Sequence, residues 1–316
     1  MKYRKLGGSG VFVSEVALGS WLTYGQGIDQ KTTESCVKAA FDCGINFIDT
    51  ADVYGLGACE EALGRAIRGV SRKDYVLASK AFFPTGDGPN DKGLSRKHLT
   101  ESLDASLARL GTDYLDLYQC HRYDPDVPIR ELVRTMDDFI RRGRILYWGV
   151  SQWPADKILE VVKIALAIGA EPPVTNQPRY NLLDRVIEDE IIETAANVGM
   201  GQIVYSPLAQ GLLTGKYCDG AMPKDSRARL GESGEFIRRN MTPENLERAD
   251  KFAQLAKVLE IPASQLALSW CLRQPAVASV IIGASRPGQI KENAKASGYT
   301  LDQASLEAID RILTGS

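Results

Sequence analysis

Four titratable side chains of four different types stand at or just past the ends of apolar stretches in this sequence. Asp49 and Tyr54 belong to FIDTADVYG (47–55), whose first half has the pattern of a buried strand. Lys80 ends YVLASK (75–80), and His121 ends LDLYQCH (115–121). Taken singly, each has an ordinary explanation, such as a helix cap, aromatic packing or a solvated amine. Their recurrence at successive strand ends predicts a functional site, because burying unpaired charge is costly.

Together these side chains could protonate an alkoxide while a hydride reaches the carbonyl carbon. A phenol, with a pKa of about 10, is a weak proton donor at neutral pH. A lysine ammonium beside Tyr54 would favour the phenolate and lower that pKa, and Asp49 would keep Lys80 charged and oriented. His121 could then polarise the carbonyl oxygen that accepts the proton of Tyr54. Asp52, in the same stretch, is assigned only a loop or capping role.

Other catalytic arrangements fit the sequence less well. Cys120 and His121 are neighbours on a strand, so their side chains point to opposite faces and cannot form a dyad. GASRPG (283–288) is not the GxSxG motif of a nucleophilic serine. The chain has two histidines, His98 and His121. This excludes a multi-histidine zinc site, and no metal site is predicted.

Composition and charge narrow the class of protein. A formal net charge of −2 and a pI of about 5.9 do not indicate a nucleic-acid or anionic-membrane binder. No apolar run is long enough to span a bilayer and no signal peptide is visible, so a cytoplasmic location is expected. Six cysteines occur without CxxC or metal-type spacing, which predicts buried free thiols in a reducing compartment.

An alternation of short β-branched runs and helical patterns predicts an α/β fold. The eight strand-like runs are 15–20, 46–50, 75–80, 115–121, 145–151, 173–177, 202–207 and 279–285. Several helical patterns between them close with glycines such as Gly111 and Gly143, a common C-cap signal. We therefore predict a (β/α)8 TIM barrel, with residues 1–316 as a single domain. A doubly wound sheet is the rival, but neither GSWLTYGQG (19–27) nor GLGACE (55–60) fits a GxGxxG fingerprint.

Three additions to the bare barrel are predicted. The first dozen residues, with Gly7-Gly8 between KYRKL and VFV, indicate a β-hairpin that caps the barrel bottom. A long segment at 208–245 follows the seventh strand, and loops of that length are usually lids or binding loops, or else disordered. An amphipathic pattern at 301–313, beyond a helix at 287–297, indicates an extra C-terminal helix.

A second group of residues could bind a phosphate. Ser285 lies at an expected N-cap after the eighth strand, Pro287 suits the first helical turn, and Arg286 adds positive charge. Barrels often bind phosphate at a helix N-terminus after strands seven and eight. The residues that share a helix face with Ser285 are Gln289, Glu292 and Asn293. An ordinary amphipathic helix with a good cap explains the same spacing equally well.

Longer stretches resemble the motifs of the aldo-keto reductase family. FIDTADVYG, ASK (78–80) and SLDASLARLGTDYLDLYQCH (102–121) carry the general resemblance. The stretches that resemble the branch containing the voltage-gated potassium channel β-subunits and their bacterial relatives are LYWGVSQW (146–153), YSPLAQGLLTGKY (205–217), SRARL (226–230) and ALSWCLRQPAVASVIIGAS (267–285). The resemblance covers nearly the whole chain, and its motifs are specific through their joint order.

The resemblance implies a catalytic tetrad and bound NADP(H). The tetrad is Asp49, Tyr54, Lys80 and His121, with Tyr54 as proton donor, and the cofactor binds in extended form without a Rossmann domain. Ser151 and Gln177 match contacts to the nicotinamide carboxamide, and Tyr205 matches the aromatic residue stacked on the nicotinamide ring. Positions matching the pyrophosphate side are Ser206, Pro207, Leu208, Gln210 and Lys216. Positions matching the adenosine and 2′-phosphate end are Arg227, Gly283, Ser285, Gln289, Glu292 and Asn293.

Three more cofactor contacts are expected at the nicotinamide-proximal strand ends, from Ser20, Trp21 and Asp49. Arg286 is expected to contribute charge near the 2′-phosphate. A preference for NADPH over NADH is inferred from Ser285, Arg286 and Arg227.

Two features favour a working enzyme. The channel subunits that this chain resembles carry asparagine where it has His121, and it starts at the cap hairpin without a long N-terminal extension. The first hypothesis is an NADPH-dependent reductase of aldehydes or ketones that acts on a small-molecule carbonyl substrate. One alternative is a nicotinamide-binding regulatory subunit that senses redox state. Another is a phosphate-binding barrel isomerase or aldolase in which Lys80 forms a Schiff base.

Side chains that flank the strand ends are predicted to line the substrate pocket. They are Trp21, Tyr24, Phe82, Phe83, Arg122 and Trp153. Their chemistry favours aromatic or apolar carbonyl compounds, with Arg122 receiving an anionic or hydroxylated substrate, and packing of the loops is the alternative role. The resembling branch includes tetramers and larger assemblies, so a homo-oligomer is possible, but no interface is readable in the sequence.

Overall fold

Eight parallel strands form a closed barrel in the computed structural model, which describes residues 1–217 and 234–314. Each barrel strand pairs with its neighbours in chain order, and the last pairs with the first. The strands are β3 (Val16–Gly19), β4 (Phe47–Asp49), β5 (Val76–Ala81), β6 (Leu115–Cys120), β7 (Ile145–Val150), β8 (Thr175–Asn176), β9 (Gly201–Val204) and β10 (Val277–Ile282). The predicted (β/α)8 TIM barrel is therefore confirmed.

Helices surround the barrel and follow its strands. They are α1 (Gln30–Asp42), α2 (Ala58–Ala66), α3 (Arg96–Leu110), α4 (Ile129–Arg141), α5 (Ala155–Ala167), α6 (Ile191–Asn197), α7 (Glu235–Arg238), α8 (Pro243–Val258), α9 (Ala263–Leu272), α10 (Pro287–Asn293) and α11 (Gln303–Thr314). Helix α3 shows how the sequence sets the ends: the Ser95 hydroxyl accepts from the His98 N–H at 3.2 Å, and Gly111 caps the C-terminus with a φ of 67°.

Side chains along each strand alternate between the barrel interior and the layer under the helices. Phe47, Ala78 and Leu117 belong to an interior apolar cluster, whereas Ile48 and Leu77 belong to the larger cluster between strands and helices. This alternation is the two-residue period of a strand. The next inward-pointing side chain on each of these strands, two residues further along, is polar. The candidate site begins at these polar side chains.

An antiparallel hairpin of β1 (Tyr3–Lys5) and β2 (Phe12–Ser14) closes the amino-terminal end of the barrel. Leu6 and Val13 complete the interior cluster from below. Gly7 makes this docking possible: it has a φ of +59°, and a Cβ there would lie 2.2 Å from the Val174 carbonyl oxygen. The predicted hairpin cap is confirmed.

Two predicted segments differ in detail from the structure. Ser285 does not cap α10, because Arg286 holds the extended N-cap position and the Ser285 N–H donates instead to Gln289 Oε1 at 2.9 Å. The predicted helix 287–297 ends at Asn293 and continues only as a short 3-10 turn, 294–296. The long segment after β9 contains a 3-10 stretch at 209–214 and helix α7, and residues 218–233 lie outside the described part.

The extra C-terminal helix is confirmed as α11, which packs on α8. The Arg248 guanidinium donates to the Leu313 carbonyl at 2.8 Å. Within residues 1–217 and 234–314, no helix combines the length and apolar character needed to cross a membrane. The same residues contain no cluster of three histidine, cysteine or acidic side chains placed to hold a metal ion.

Candidate active site

The four titratable side chains meet at the carboxyl-terminal ends of the barrel strands, called the barrel mouth below. Asp49 ends β4, Lys80 lies near the end of β5 and His121 follows β6. Tyr54 comes from the loop between β4 and α2, and its hydroxyl lies 3.4 Å from Lys80 Nζ and 3.5 Å from His121 Nε2. The sequence placed these residues on neighbouring strands, and the structure brings all four into one cluster.

Lys80 is completely buried, with three oxygen atoms around its ammonium group. Its Nζ lies 2.6 Å from Asp49 Oδ2 and 2.7 Å from the Thr50 carbonyl, with the Tyr54 hydroxyl as the third neighbour. Burial lowers the pKa of Lys80, and the Asp49 carboxylate opposes that shift. Because these oxygens occupy all three N–H directions, the geometry disfavours Lys80 as a Schiff-base nucleophile.

Asp49 is fixed by two amides as well as by Lys80. Gln177 donates to Asp49 Oδ1 at 2.9 Å and Gln119 donates to the same atom at 3.2 Å. The two amides also contact each other at 3.3 Å. Gln119 was missed by the sequence reasoning, although its inward position two residues before His121 on β6 was a readable signal. The buried carboxylate thus accepts hydrogen bonds on both of its oxygens.

The pKa of Tyr54 moves in the opposite direction from the one expected. The sequence argument had Lys80 lowering it, but burial and the Asp49 carboxylate raise it well above its ordinary value, with Arg122 opposing them. The reason is that Asp49 largely balances the charge of Lys80, so desolvation of the phenolate dominates. Tyr54 therefore remains protonated in the resting protein and can act only on a strongly basic acceptor.

His121 is held as a neutral imidazole. Burial, Lys80 and Arg122 together lower its pKa well below the ordinary value. Its ring packs edge-on against Tyr54 and Phe83, at centroid distances of 5.6 and 4.9 Å. A neutral imidazole can donate one hydrogen bond, so His121 can polarise an oxygen without competing with Tyr54 as the acid.

The positions matched to nicotinamide contacts adjoin the tetrad. Ser151 follows β7, Gln177 follows β8 and Tyr205 follows β9. The Ser151 hydroxyl donates to the Gln177 carbonyl at 2.8 Å, and the Gln177 amide reaches Asp49. Gln152 donates to the Tyr205 hydroxyl. The chain thus gathers amide, hydroxyl and aromatic groups beside the Tyr54 hydroxyl.

Ser20 and Trp21 lie on the other side of the tetrad. Trp21 is half-buried, and its ring centroid is 6.3 Å from that of Tyr54. Ser20 is fully buried, and its hydroxyl donates to the Thr50 hydroxyl at 2.8 Å. Of the two, Trp21 therefore has the more open surface for a ligand.

The loop after β9 has an unusual backbone at the positions matched to pyrophosphate contacts. Ser206, Ala209 and Gln210 have φ values of 53°, 46° and 59°, which non-glycine residues rarely adopt. Gln210 donates to the Ser206 hydroxyl at 2.6 Å. Non-glycine residues held in this left-handed backbone conformation often mark ligand-binding loops. The remaining matched positions here are the buried Pro207, the half-buried Leu208 and the exposed Lys216.

The positions matched to the adenosine end lie around the start of α10. Gly283, Ser285 and Arg286 are exposed. Further along, Gln289 is half-buried, the exposed Glu292 accepts from the Ser264 hydroxyl at 2.7 Å, and Asn293 is buried. Arg227, the other basic residue assigned to this end, lies outside the described residues.

The six side chains predicted to line the substrate pocket differ in their exposure. Trp21, Phe82, Phe83 and Arg122 are half-buried. Tyr24 and Trp153 are instead fully buried in the apolar cluster beneath the helices. Neither side chain therefore presents surface at the barrel mouth, and the Trp153 ring packs edge-on against Tyr123 at 5.1 Å.

A buried acidic pair lies directly behind the tetrad and was missed in the sequence. Asp52 is 1% exposed, its N–H donates to the Lys80 carbonyl at 3.2 Å, and its Oδ2 has no hydrogen-bond partner within the described chain. Glu60 is fully buried, and its carboxylate accepts hydrogen bonds from the Ser79 hydroxyl at 2.6 Å and from the Arg109 guanidinium at 2.7 Å. Burial and the nearby Glu60 raise the pKa of Asp52 to about 7. The sequence analysis gave Asp52 only a loop or capping role and did not predict that its carboxyl group is buried.

This carboxyl group should make stability depend on pH. Because the pKa of Asp52 is about 7 when folded and lower when unfolded, its stabilising effect is complete below about pH 4 and is lost as the pH rises through 7. Asp52→Asn cannot ionise. The unfolding free energy of the variant relative to wild type should therefore rise by about 2 kcal/mol between pH 5 and pH 8.

Urea unfolding at several pH values measures this difference. Asp42→Asn is the matched control, because Asp42 is exposed and paired with Lys38 on α1. Its difference from wild type should stay flat over the same range. A flat difference for Asp52→Asn as well would show that Asp52 does not take up a proton on folding.

Comparison with known proteins adds three findings. The model of the Aldo/keto reductase family matches residues 15–314 of the chain. A protein of Oryza sativa subsp. japonica named "Probable voltage-gated potassium channel subunit beta" is 42% identical over 299 residues, which is 94% of this chain and 91% of that protein. A protein of the same name from Arabidopsis thaliana is 43% identical with the same coverage of both chains.

Proposed function

The chain belongs to the aldo/keto reductase family, and on this premise we propose that it is an NADPH-dependent oxidoreductase that reduces the carbonyl group of aldehydes or ketones. The observation that carries the proposal is the position of the Tyr54 hydroxyl, 3.4 Å from a fully buried, carboxylate-paired lysine and 3.5 Å from a neutral histidine. A carbonyl oxygen that becomes an alkoxide needs a proton donor, a nearby cation and a hydrogen-bond donor. The Tyr54 hydroxyl, the lysine and the histidine provide these three groups around one point.

Each tetrad residue has a separate task in this reaction. When bound, NADPH supplies the hydride that reaches the carbonyl carbon. Tyr54 gives its proton to the carbonyl oxygen, and this transfer is downhill even with a raised phenol pKa, because an alkoxide is a stronger base than a phenolate. Lys80 stabilises the phenolate that forms, and Asp49 keeps Lys80 charged. His121, with its proton on Nε2, donates a hydrogen bond to the same oxygen.

The residues at the barrel mouth suit a dinucleotide cofactor. Ser151, Gln177 and Tyr205 lie directly beside the tetrad, where a nicotinamide ring must sit for hydride transfer. The left-handed residues after β9 support a binding role for that loop, because such backbone conformations are enriched at ligand sites. The exposed Ser285 and Arg286 would favour the 2′-phosphate of NADPH over the hydroxyl of NADH.

A panel of aldehydes and ketones tests the proposal, with NADPH absorbance as the readout and alcohol quantified in the same samples. We expect one alcohol formed per NADPH consumed with at least one substrate of the panel, and a lower KM for NADPH than for NADH. NADPH consumption that is independent of the carbonyl compound, or that yields no alcohol, would refute the proposed activity.

A second candidate function is a regulatory subunit that binds the nicotinamide cofactor and senses redox state. It is favoured by the names of the two plant relatives, which describe channel subunits. Rapid-mixing experiments separate the two functions. A steady-state rate close to the single-turnover rate of NADPH oxidation supports an enzyme, whereas cofactor release many-fold slower than hydride transfer supports a sensor.

A further inference from the structure

Arg122 is a cation at the barrel mouth, and the described part of the chain places no carboxylate against it. It directly follows His121, and its Nη1 donates to the His121 carbonyl at 2.5 Å and to the Ser151 hydroxyl at 3.5 Å. Its charge also acts to lower the pKa of Tyr205, against the effect of burial. The acceptors of its hydrogen bonds are neutral oxygens. They hold the guanidinium in place, but they leave its positive charge unmatched.

Two carboxylates on this side of the barrel are already engaged with other cations. Asp49 is paired with Lys80 at 2.6 Å, and Asp184 is paired with Arg179 at 3.0 Å. Across residues 1–217 and 234–314, Arg122 forms no ion pair, and its side chain is only half-exposed. A partly desolvated cation without a counter-charge is unfavourable in the free protein, and a bound anion would relieve that cost.

The surroundings of Arg122 place this charge in the pocket rather than on the outer surface. Its guanidinium carbon lies 5.2 Å from the Phe83 ring centroid, and the Phe83 ring packs edge-on against the His121 ring at 4.9 Å. Phe83 thus contacts both the cation and the catalytic imidazole. The positive charge of Arg122 also acts to lower the pKa of Tyr54, Lys80 and His121, as a cation near these groups does.

We infer that Arg122 is a specificity-determining residue that selects carbonyl substrates carrying a carboxylate. This inference rests on the proposed reductase function. Phe83 and Trp21 would pack against the body of the substrate, the carbonyl oxygen would lie at Tyr54 and His121, and the carboxylate would pair with the free face of the Arg122 guanidinium. Guanidinium and carboxylate geometries match as a bidentate pair, which a neutral substituent cannot reproduce.

Two substrates of equal shape test the inference. They are 4-carboxybenzaldehyde and 4-formylbenzamide, which differ in the charge of one substituent. The wild-type ratio of kcat/KM for the acid over the amide should be about tenfold or more, from hydrogen bonds to a charged group. In Arg122→Gln that ratio should fall by about tenfold, mainly through the KM of the acid, and Arg122→Lys should retain part of the preference.

The matched control is Arg144→Gln, which removes the same charge at the opposite, amino-terminal end of the barrel, where Arg144 pairs with Asp104. Its acid-to-amide ratio should equal that of wild type. A wild-type ratio near one, or a ratio unchanged by Arg122→Gln, would overturn the inference while leaving the reductase function intact if both aldehydes are reduced.

A binding measurement decides the question even if neither aldehyde is reduced. The chain has two histidines, so the imidazole resonances of His121 and His98 can be followed separately by NMR. Benzoate, which cannot be reduced, should shift the His121 resonance of wild type and leave that of His98 on α3 in place. Benzamide should produce the same shift of the His121 resonance only at about tenfold higher concentration, because it binds more weakly. Equal responses to benzoate and benzamide, or a benzoate response that persists in Arg122→Gln, would contradict the inference.

Discussion

Replacing Tyr54 with phenylalanine should reduce turnover by about 10²–10⁴-fold, the range typical of losing a positioned general acid. The phenylalanine ring can still occupy the space between Trp21 and His121, whose centroids lie 6.3 and 5.6 Å from that of Tyr54. Cofactor binding should therefore stay close to wild type when followed by NADPH fluorescence, while steady-state reduction of an aldehyde nearly stops. The loss should appear in kcat, because the missing proton is needed only as the alkoxide forms.

Tyr118→Phe is the matched control for this variant. Tyr118 is fully buried on β6, but its side chain points away from the barrel interior and its hydroxyl donates to the Leu99 carbonyl at 3.4 Å. Turnover by this variant should remain within about twofold of wild type. Retained turnover in Tyr54→Phe would remove Tyr54 from the role of proton donor.

Lys80→Met should destabilise the protein and also abolish reduction. Asp49 is 3% exposed and would lose Lys80, its cationic partner. Removing one member of a buried ion pair typically costs about 3–5 kcal/mol. Because the amides of Gln119 and Gln177 would still donate to Asp49, the loss of stability should lie toward the lower end of that range. Urea unfolding measures the stability, and NADPH consumption measures the activity.

The double variant Asp49→Asn/Lys80→Met separates charge pairing from simple loss of packing. It removes both charges, so its unfolding free energy should lie above that of Lys80→Met alone, although the second change is itself a mutation of a core residue. Turnover should stay absent in both. A double variant no more stable than Lys80→Met would show that an unpaired Asp49 charge is not the source of the instability.

The barrel could be predicted because its signals are local and repeat along the chain. Eight apolar β-branched runs alternate with helical patterns, several of which close with glycine, and parallel strands connected in this way close into a barrel. The tetrad was predictable for the same reason: Asp49, Lys80 and His121 continue the inward alternation of three neighbouring strands past the last apolar residue.

The side-chain positions and pKa directions that the sequence did not predict depend on the path of the loops and on the depth of burial. Tyr24 and Trp153 flank strand ends in the sequence, but their rings turn into the core, which no residue pattern records. The direction of the Tyr54 pKa depends on desolvation outweighing a lysine 3.4 Å away. The burial of Asp52 is a tertiary property as well, since its neighbour Glu60 comes from the next helix.

Transfer of deuterium from labelled cofactor to product tests the central claim most directly. NADPH carrying deuterium on the transferable face of C4 is incubated with the protein and 4-formylbenzamide, and the product is analysed by mass spectrometry and NMR. The account predicts one deuterium on the carbinol carbon of each alcohol formed, at a rate that falls by about 10²–10⁴-fold in Tyr54→Phe. Alcohol without deuterium at that carbon, or oxidised cofactor without alcohol, would contradict hydride transfer at this site.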